Sequence, residues 1–277
     1  MKLQILGSGG GEGYPALFCE CAHCKAARKA GGKSLRSLSQ SLIDGKLLID
    51  LPAATHAHCL ANGFGLGHIA HLLITHTHAD HYVPQLLDVR GEDFAHGMAA
   101  EKLHIYGNEE TERKFDGTFG LFPIRDAIRK NIVFHTVKAF EPFTAGEYTV
   151  TPLKANHAPE EDALNYIIDD GKTALLYLVD TGYPYPETLD RIVNYGKKYG
   201  CVVMDSTMGT GYYERHMNFA ENRKLKEYLC GAGVCDGDTQ FAITHITHNH
   251  AGTHDEIERD FAGSGIAVAY DGFTAEF

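Results

Sequence analysis

Residues 72–82 read LLITHTHADHY. The apolar run Leu72, Leu73 and Ile74 has the character of a short buried strand, and directly behind it stand His76, His78, Asp80 and His81. An extended backbone sends alternate side chains the same way, so His76 and His78 can reach one cation while Asp80 and His81, on the turn that follows, reach a second. Neutral imidazole and carboxylate together suit Zn²⁺, Mn²⁺ or Fe²⁺. The plainer reading, four solvated residues in a loop, leaves unexplained why so many polar groups with affinity for metals crowd behind one buried strand.

Working outward, the 277 residues are 44% hydrophobic, enough for a sizeable core, and no Pro- or Ser-rich linker, low-complexity run or repeat divides them. One domain over residues 1–277 is expected. The formal net charge of −11 repels phosphate backbones, which disfavours long nucleic acid as a partner and favours a small anionic substrate held by cations. The opening MKLQILGSGGG is too short an apolar run for a signal peptide, and no segment approaches the length of a membrane span. A cytoplasmic protein without a membrane partner is expected, its seven cysteines reduced and free to bind metal.

In chain order, KLQIL at 2–6 reads as a first strand emptying into LGSGGGEGYP. This is no dinucleotide fingerprint, because the third required glycine falls on Glu12. Two readings stay open for the loop: a plain tight turn, or a close approach of backbone to the metal site. Next, Cys19, Cys21 and Cys24 form a CxCxxC arrangement able to wrap three thiolates around one ion. His23 lies between two of them, poorly placed to turn back, so a distant histidine is the better fourth ligand. AGGKS at 30–34 lacks the leading glycine of a phosphate loop. SLIDGKLLID at 41–50 reads as a hairpin around Asp44-Gly45, with Asp50 closing its second strand.

His68, His71, His96, His104 and His135 lack partners at ligand spacing and read as packing or surface residues. Strands are expected at 103–108 and 131–137, at 148–157 ending on His157, at 174–179 ending on Asp180, and at 201–205. Asp180 can bridge two cations, one oxygen to each; its plain role is to start a turn. PETLDRIVNYGKKYG reads as a helix with Lys197 and Lys198 near its end. His216 precedes another helix, as a residue of its first turn or as a mobile proton donor. FAITHITHNH places His245 and His248 behind a strand, and THDE at 253–256 reads as a capping box.

HxHxDH behind a hydrophobic strand, followed by isolated histidines and an aspartate at later strand ends, resembles the metallo-β-lactamase superfamily. That resemblance implies an α/β fold, an αβ/βα four-layer sandwich of two mixed sheets with helices outside. It implies one divalent ion on His76, His78 and His157, a second on Asp80, His81 and His245, and Asp180 bridging them. CxCxxC after a glycine loop, with a histidine three residues past the last catalytic one, is similar to the PhnP-like phosphodiesterases. Their pattern implies a structural zinc on Cys19, Cys21, Cys24 and His248. The implied chemistry is hydrolysis of a small, linear or cyclic, phosphodiester by a hydroxide held between two Zn²⁺, Mn²⁺ or Fe²⁺ ions. Asp80 and His216 are the candidate catalytic residues, with His216 as general acid. A homodimer is compatible with this reading. Two rivals stand beside it: a PqqB-like accessory protein of cofactor biosynthesis, and a transfer-RNA 3′ endonuclease, for which no Lys/Arg-rich insertion is visible.

Overall fold

The fold is that of a computed structural model describing residues 1–91, 93–121 and 123–277. Its first sheet takes β1 (Lys2–Gly7), β2 (Gln40–Ile43), β3 (Leu47–Ile49), β4 (His71–Leu73), β5 (Leu103–Gly107) and β6 (Ile132–Thr136). The second takes β7 (Phe143–Ala145), β8 (Tyr148–Lys154), β9 (Leu164–Asp169), β10 (Ala174–Leu178), β11 (Tyr199–Asp205), β12 (Gln240–Thr244) and β13 (Ile266–Val268), while β14 (Phe273–Glu276) returns to pair with β1. The strand orders are β14-β1-β2-β3-β4-β5-β6 and β13-β12-β11-β10-β9-β8-β7.

Period-two alternation in the sequence assembles these sheets face to face. Leu47 and Ile49 of β3 point into an inter-sheet core with Leu175 and Tyr177 of β10, while Leu48 points outward. The outer face of the first sheet is covered by α3 (Glu109–Leu121) and α4 (Asp126–Arg129), through Phe115 and Ile128. On the outer face of the second lie α1 (Ala22–Ala30), α5 (Pro186–Val193), α6 (Phe219–Gly231) and α7 (His254–Asp260), through Ala27, Ile192, Leu225 and Ile257. The remaining helix, α2, spans Thr55–Asn62. The result is the four-layer αβ/βα sandwich expected. Among the described residues no helix is long and apolar enough to cross a membrane.

Strand direction sets the site. β3 and β4 pair in parallel, as do β10, β11 and β12, and β8 runs parallel to β10 across the antiparallel β9. The exits of β3, β4, β8, β10, β11 and β12 therefore carry Asp50, the HxHxDH turn, His157, Asp180, Asp205 and His245 respectively. Three of these exits bend through left-handed backbone: Asp50 has φ 67°, Asp180 57° and His245 59°.

Two expectations need correction. The helix expected over 186–200 ends at Val193, because the chain turns at Gly196 with φ 91° and enters β11 at Tyr199. Lys197 and Lys198 thus serve no helix dipole; they pair with Asp169 at 2.8 Å and Asp236 at 2.7 Å. His71, His104 and His135 are not isolated either, since the parallel pairing of β4, β5 and β6 gathers them. His104 Nδ1 lies 2.9 Å from His135 Nε2, and His71 Nδ1 lies 3.2 Å from the Tyr106 hydroxyl. Both contacts are ordinary hydrogen bonds, so packing remains their role.

Candidate metal centre

The four motif residues leave β4 on a turn that sorts them onto two sides. On one side His76 Nε2 and His78 Nδ1 are 3.0 Å apart, and His78 Nδ1 lies 3.2 Å from His157 Nε2. Asp180 Oδ2 completes this set, 3.2 Å from His76 and 3.4 Å from His157. On the other side His81 Nε2 lies 3.2 Å from Asp80 Oδ2, 3.3 Å from His245 Nε2 and 3.2 Å from the same Asp180 Oδ2. A tetrahedral cation with bonds of roughly 2.0–2.1 Å has edges between its ligands of roughly 3.3–3.4 Å. The first set has that size, and the second is close to it, its two longest edges running from His245 Nε2 to Asp180 Oδ2 at 3.7 Å and to Asp80 Oδ2 at 3.9 Å. The expectation of one Asp180 oxygen per cation is corrected: Oδ2 is the corner common to both sets, and Oδ1 turns to His216 Nδ1 at 3.0 Å.

The chemistry of the donors also fits cations. His81 Nε2 and His245 Nε2 lie 3.3 Å apart beside the same carboxylate oxygen, a crowding of lone pairs that a shared cation would relieve. Burial pushes His76 down to about 3. Burial acts on His81 the same way, but Asp80 and Asp50 outweigh it and lift the imidazole well above its ordinary value. Likewise His245 is raised to about 9 against burial by the charge of Asp180 and by its hydrogen bonds to Asp205 and Asp80. The buried carboxylates demand positive charge at this spot, which a pair of divalent ions would supply.

Sequence reading missed the residues that orient these donors. Asp50 Oδ2 takes a hydrogen bond from His81 Nδ1 at 2.7 Å, while Thr75 N–H donates to Asp50 Oδ1 at 2.8 Å. The Thr207 hydroxyl lies 2.7 Å from His245 Nδ1 and also donates to Asp205 Oδ2 at 2.8 Å. Such partners fix which ring nitrogen is free to bind. The signal for Asp50 and Asp205 was present, since both close a buried strand; their target was not.

His216 lies outside α6, whose capping box is built by Asn218 and Glu221. Its ring stands between those of His157 and His245, with centroids 4.9 and 6.1 Å away. Burial alone would lower its pKa; Asp180 and Asp205, at 3.0 and 3.6 Å, raise it to about 10. The His216–Asp180 contact is one of charge, with neither atom aligned for a hydrogen bond.

The cysteine loop forms a second centre. Cys19, Cys21 and Cys24 converge with His248, whose Nδ1 lies 3.5 Å from both Cys19 Sγ and Cys21 Sγ. Tetrahedral zinc with bonds of about 2.3 Å to sulfur and 2.0 Å to nitrogen has sulfur–nitrogen edges of roughly 3.5 Å. A hydrogen bond from Cys24 N–H and another from His248 lower Cys21 to about 6, whereas burial pushes Cys24 up to about 11. Thiolates this close need a cation to share. His23 takes no part in the cluster. His248 Nε2 reaches Glu12 Oε1 at 3.1 Å, so this centre is tied to the glycine loop.

That loop does approach the catalytic cluster. A Cβ on Gly10 would stand 2.6 Å from Thr247 Cγ2 and 3.2 Å from the His245 ring, whereas one on Gly11 would meet Asp80 Oδ2 at an ordinary 3.4 Å. Gly10→Ala is therefore expected to displace His245 and weaken metal binding about 10- to 100-fold, with Gly11→Ala within about 3-fold of wild type. Equilibrium titration with Co²⁺ measures both; equal affinities in the two variants would refute the close approach.

Residues 48–229 match the family model described as "Beta-lactamase superfamily domain". The chain belongs to the beta-lactamase superfamily. Its two seven-stranded sheets and flanking helices are the metallo-β-lactamase fold, shared by a superfamily of metal-dependent hydrolases. No curated protein sequence matches this superfamily member. Among solved structures it is similar to a diphosphatase from the PhnP family, with 24% identity, TM-score 0.77, and coverage of 100% of this chain and 97% of that one. Zn²⁺-bound PqqB from Methylobacterium extorquens gives 18% identity, TM-score 0.66 and 100% coverage of both chains. The short form of human tRNase Z gives 14% identity, TM-score 0.68, and coverage of 100% and 99%. These likenesses establish the fold. The glycine loop, Cys19, Cys21, Cys24, His245 and His248 all lie outside the matched segment, so their placement rests on geometry alone.

Proposed function

We propose that this chain is a dinuclear metal-dependent phosphodiesterase acting on a small, linear or cyclic, phosphodiester in the cytoplasm. The observation that carries this reading is the shared corner: Asp180 Oδ2 belongs to two four-donor sets, and His216 stands at its other oxygen. Bound there, two divalent cations (Zn²⁺ or Mn²⁺, with Fe²⁺ also suited) would activate a water and neutralise charge on the phosphoryl oxygens. The chain's own residues supply the rest. His76 and His157 present neutral nitrogens, held so by burial, while Asp180 and Asp80 stay ionised. Asp80, whose side chain is 16% exposed against 3% for Asp180, faces the open side and can take a hydrogen bond from the attacking water. His216, protonated through neutrality, can give its proton to the departing alkoxide.

The complete donor set favours an enzyme over an accessory protein, and three ions per chain, one of them the structural zinc, is the expected content. The name of the PhnP-family relative makes a diphosphate link the runner-up substrate. A net charge of −11 argues against a long RNA. The test is turnover of bis(p-nitrophenyl) phosphate by purified protein with Mn²⁺ or Zn²⁺, beside an acyl thioester and a dinucleoside diphosphate. Metal-dependent cleavage of the diester is expected to dominate; preference for either of the others overturns the assignment.

A further inference from the structure

The turn that carries four of the proposed ligands is gripped at its backbone by two charged side chains that belong to neither cation set. Glu161 holds its start. Thr77, between His76 and His78, donates its N–H to Glu161 Oε1 at 3.0 Å and Oε2 at 3.1 Å, and its hydroxyl to Oε1 at 3.0 Å. Lys114, on α3, donates from Nζ to the Thr77 carbonyl and, at 2.7 Å, to the Tyr82 carbonyl. One ammonium thus joins the residue inside the first donor pair to the residue just after His81. The two carbonyls span the motif.

The same two residues reach the other ligand loops. Glu161 lies four positions past His157, in the loop that leaves β8. Its Oε2 also accepts from Asn108 Nδ2 at 2.8 Å, and Asn108 Oδ1 accepts Glu110 N–H at 3.1 Å as α3 begins. A closed circuit results, running from α3 through Asn108 and Glu161 to Thr77 and back through Lys114 to α3. Asn108 stands just before α3, Lys114 sits on it, and Glu161 lies in the loop after β8.

We infer that Lys114 and Glu161 are positioning residues that fix the spacing between the two cation sets by clamping the 76–82 turn against α3 and the His157 loop. Neither touches a reacting atom; both act through backbone. A carbonyl pair bound to one ammonium cannot separate without leaving a buried acceptor unpaired, so loss of Lys114 frees the two halves of the motif to drift. Outer partners of this kind govern metal affinity about 10- to 100-fold. The inference rests on the dinuclear reading above.

Full-length protein, wild type and the variants Lys114→Met, Lys114→Arg and Glu161→Gln, is titrated with Co²⁺ while the visible absorption is followed, and kcat and KM are measured on bis(p-nitrophenyl) phosphate. Lys114→Met is expected to bind the catalytic cobalt ions about 10- to 100-fold more weakly, with an altered visible band and a lower kcat at a KM within about 3-fold of wild type. Lys114→Arg, still able to reach two carbonyls, recovers most of the affinity. Glu161→Gln keeps the shape and folds where a larger change does not; it turns an amide toward Asn108 Nδ2 and weakens binding in the same sense. Variants that match wild type in affinity and band, differing only in melting temperature, overturn the clamp. A wild-type protein that takes up a single thiolate-type cobalt overturns the dinuclear reading itself.

Discussion

Asp180→Ala is expected to cost about a thousand-fold or more in metal-dependent turnover, the largest loss from any single side chain in the molecule. The reason is its double membership. Oδ2 lies 3.2 Å from His76, 3.4 Å from His157 and 3.2 Å from His81, so one truncation strips a donor from each set. It also removes the negative charge that would let two cations sit side by side. After dialysis the variant should hold fewer than two equivalents of metal beyond the structural zinc, read by elemental analysis. Asp180→Asn separates shape from charge, since the amide oxygen can still occupy the corner without the full negative charge. A variant retaining both metals and turnover would show that the shared corner is dispensable.

His216→Ala should reveal itself through the leaving group. If the imidazolium donates the proton that the departing oxygen needs, an alkyl diester loses about 10² to 10⁴ in rate. A p-nitrophenyl ester, whose leaving group departs without a proton, should lose less than about 10-fold. The ratio of the two effects is the measurement. Equal losses on both substrates would reduce His216 to a partner of Asp180 and Asp205, to which it is bound by charge at 3.0 and 3.6 Å. The sign with pH follows: because the folded value is raised to about 10, the proton is present throughout neutrality. Alkyl-ester hydrolysis that depends on it falls as pH rises through the His216 value, which cations on Asp180 would bring below that of the metal-free site.

Individual strands and the family motif were legible because their signals are local, and the two-sheet sandwich followed from the family resemblance. Alternation in KLQIL and the apolar run Leu72–Ile74 mark strands, Asp44-Gly45 marks a hairpin, and HxHxDH packs four donors behind one strand. His157, Asp180 and His245 are another matter. Each is a single polar residue at a strand exit, indistinguishable by spacing from a turn former, and only the family resemblance assigned them a metal. Asp50, Asp205 and Thr207 were beyond reach because they meet their partners only through the parallel registers of β3 with β4 and of β11 with β12, and Glu12, Lys114 and Glu161 because theirs lie on loops far away in sequence. The overlong helix at 186–200 was a local error of the opposite kind: apolar spacing at Leu189, Ile192 and Val193 continued on paper past the point where Gly196 breaks it.

Asp50, Asp180 and His245 emerge from their strands with φ between 57° and 67°. An L-residue costs roughly 1 kcal/mol or more in that conformation, and asparagine and aspartate bear it best. A protein engineer who copied only these side chains onto another parallel sheet would obtain the right atoms aimed the wrong way. The transplantable unit is the bend together with its residue, and a β-branched replacement there would injure the backbone before any ion was lost.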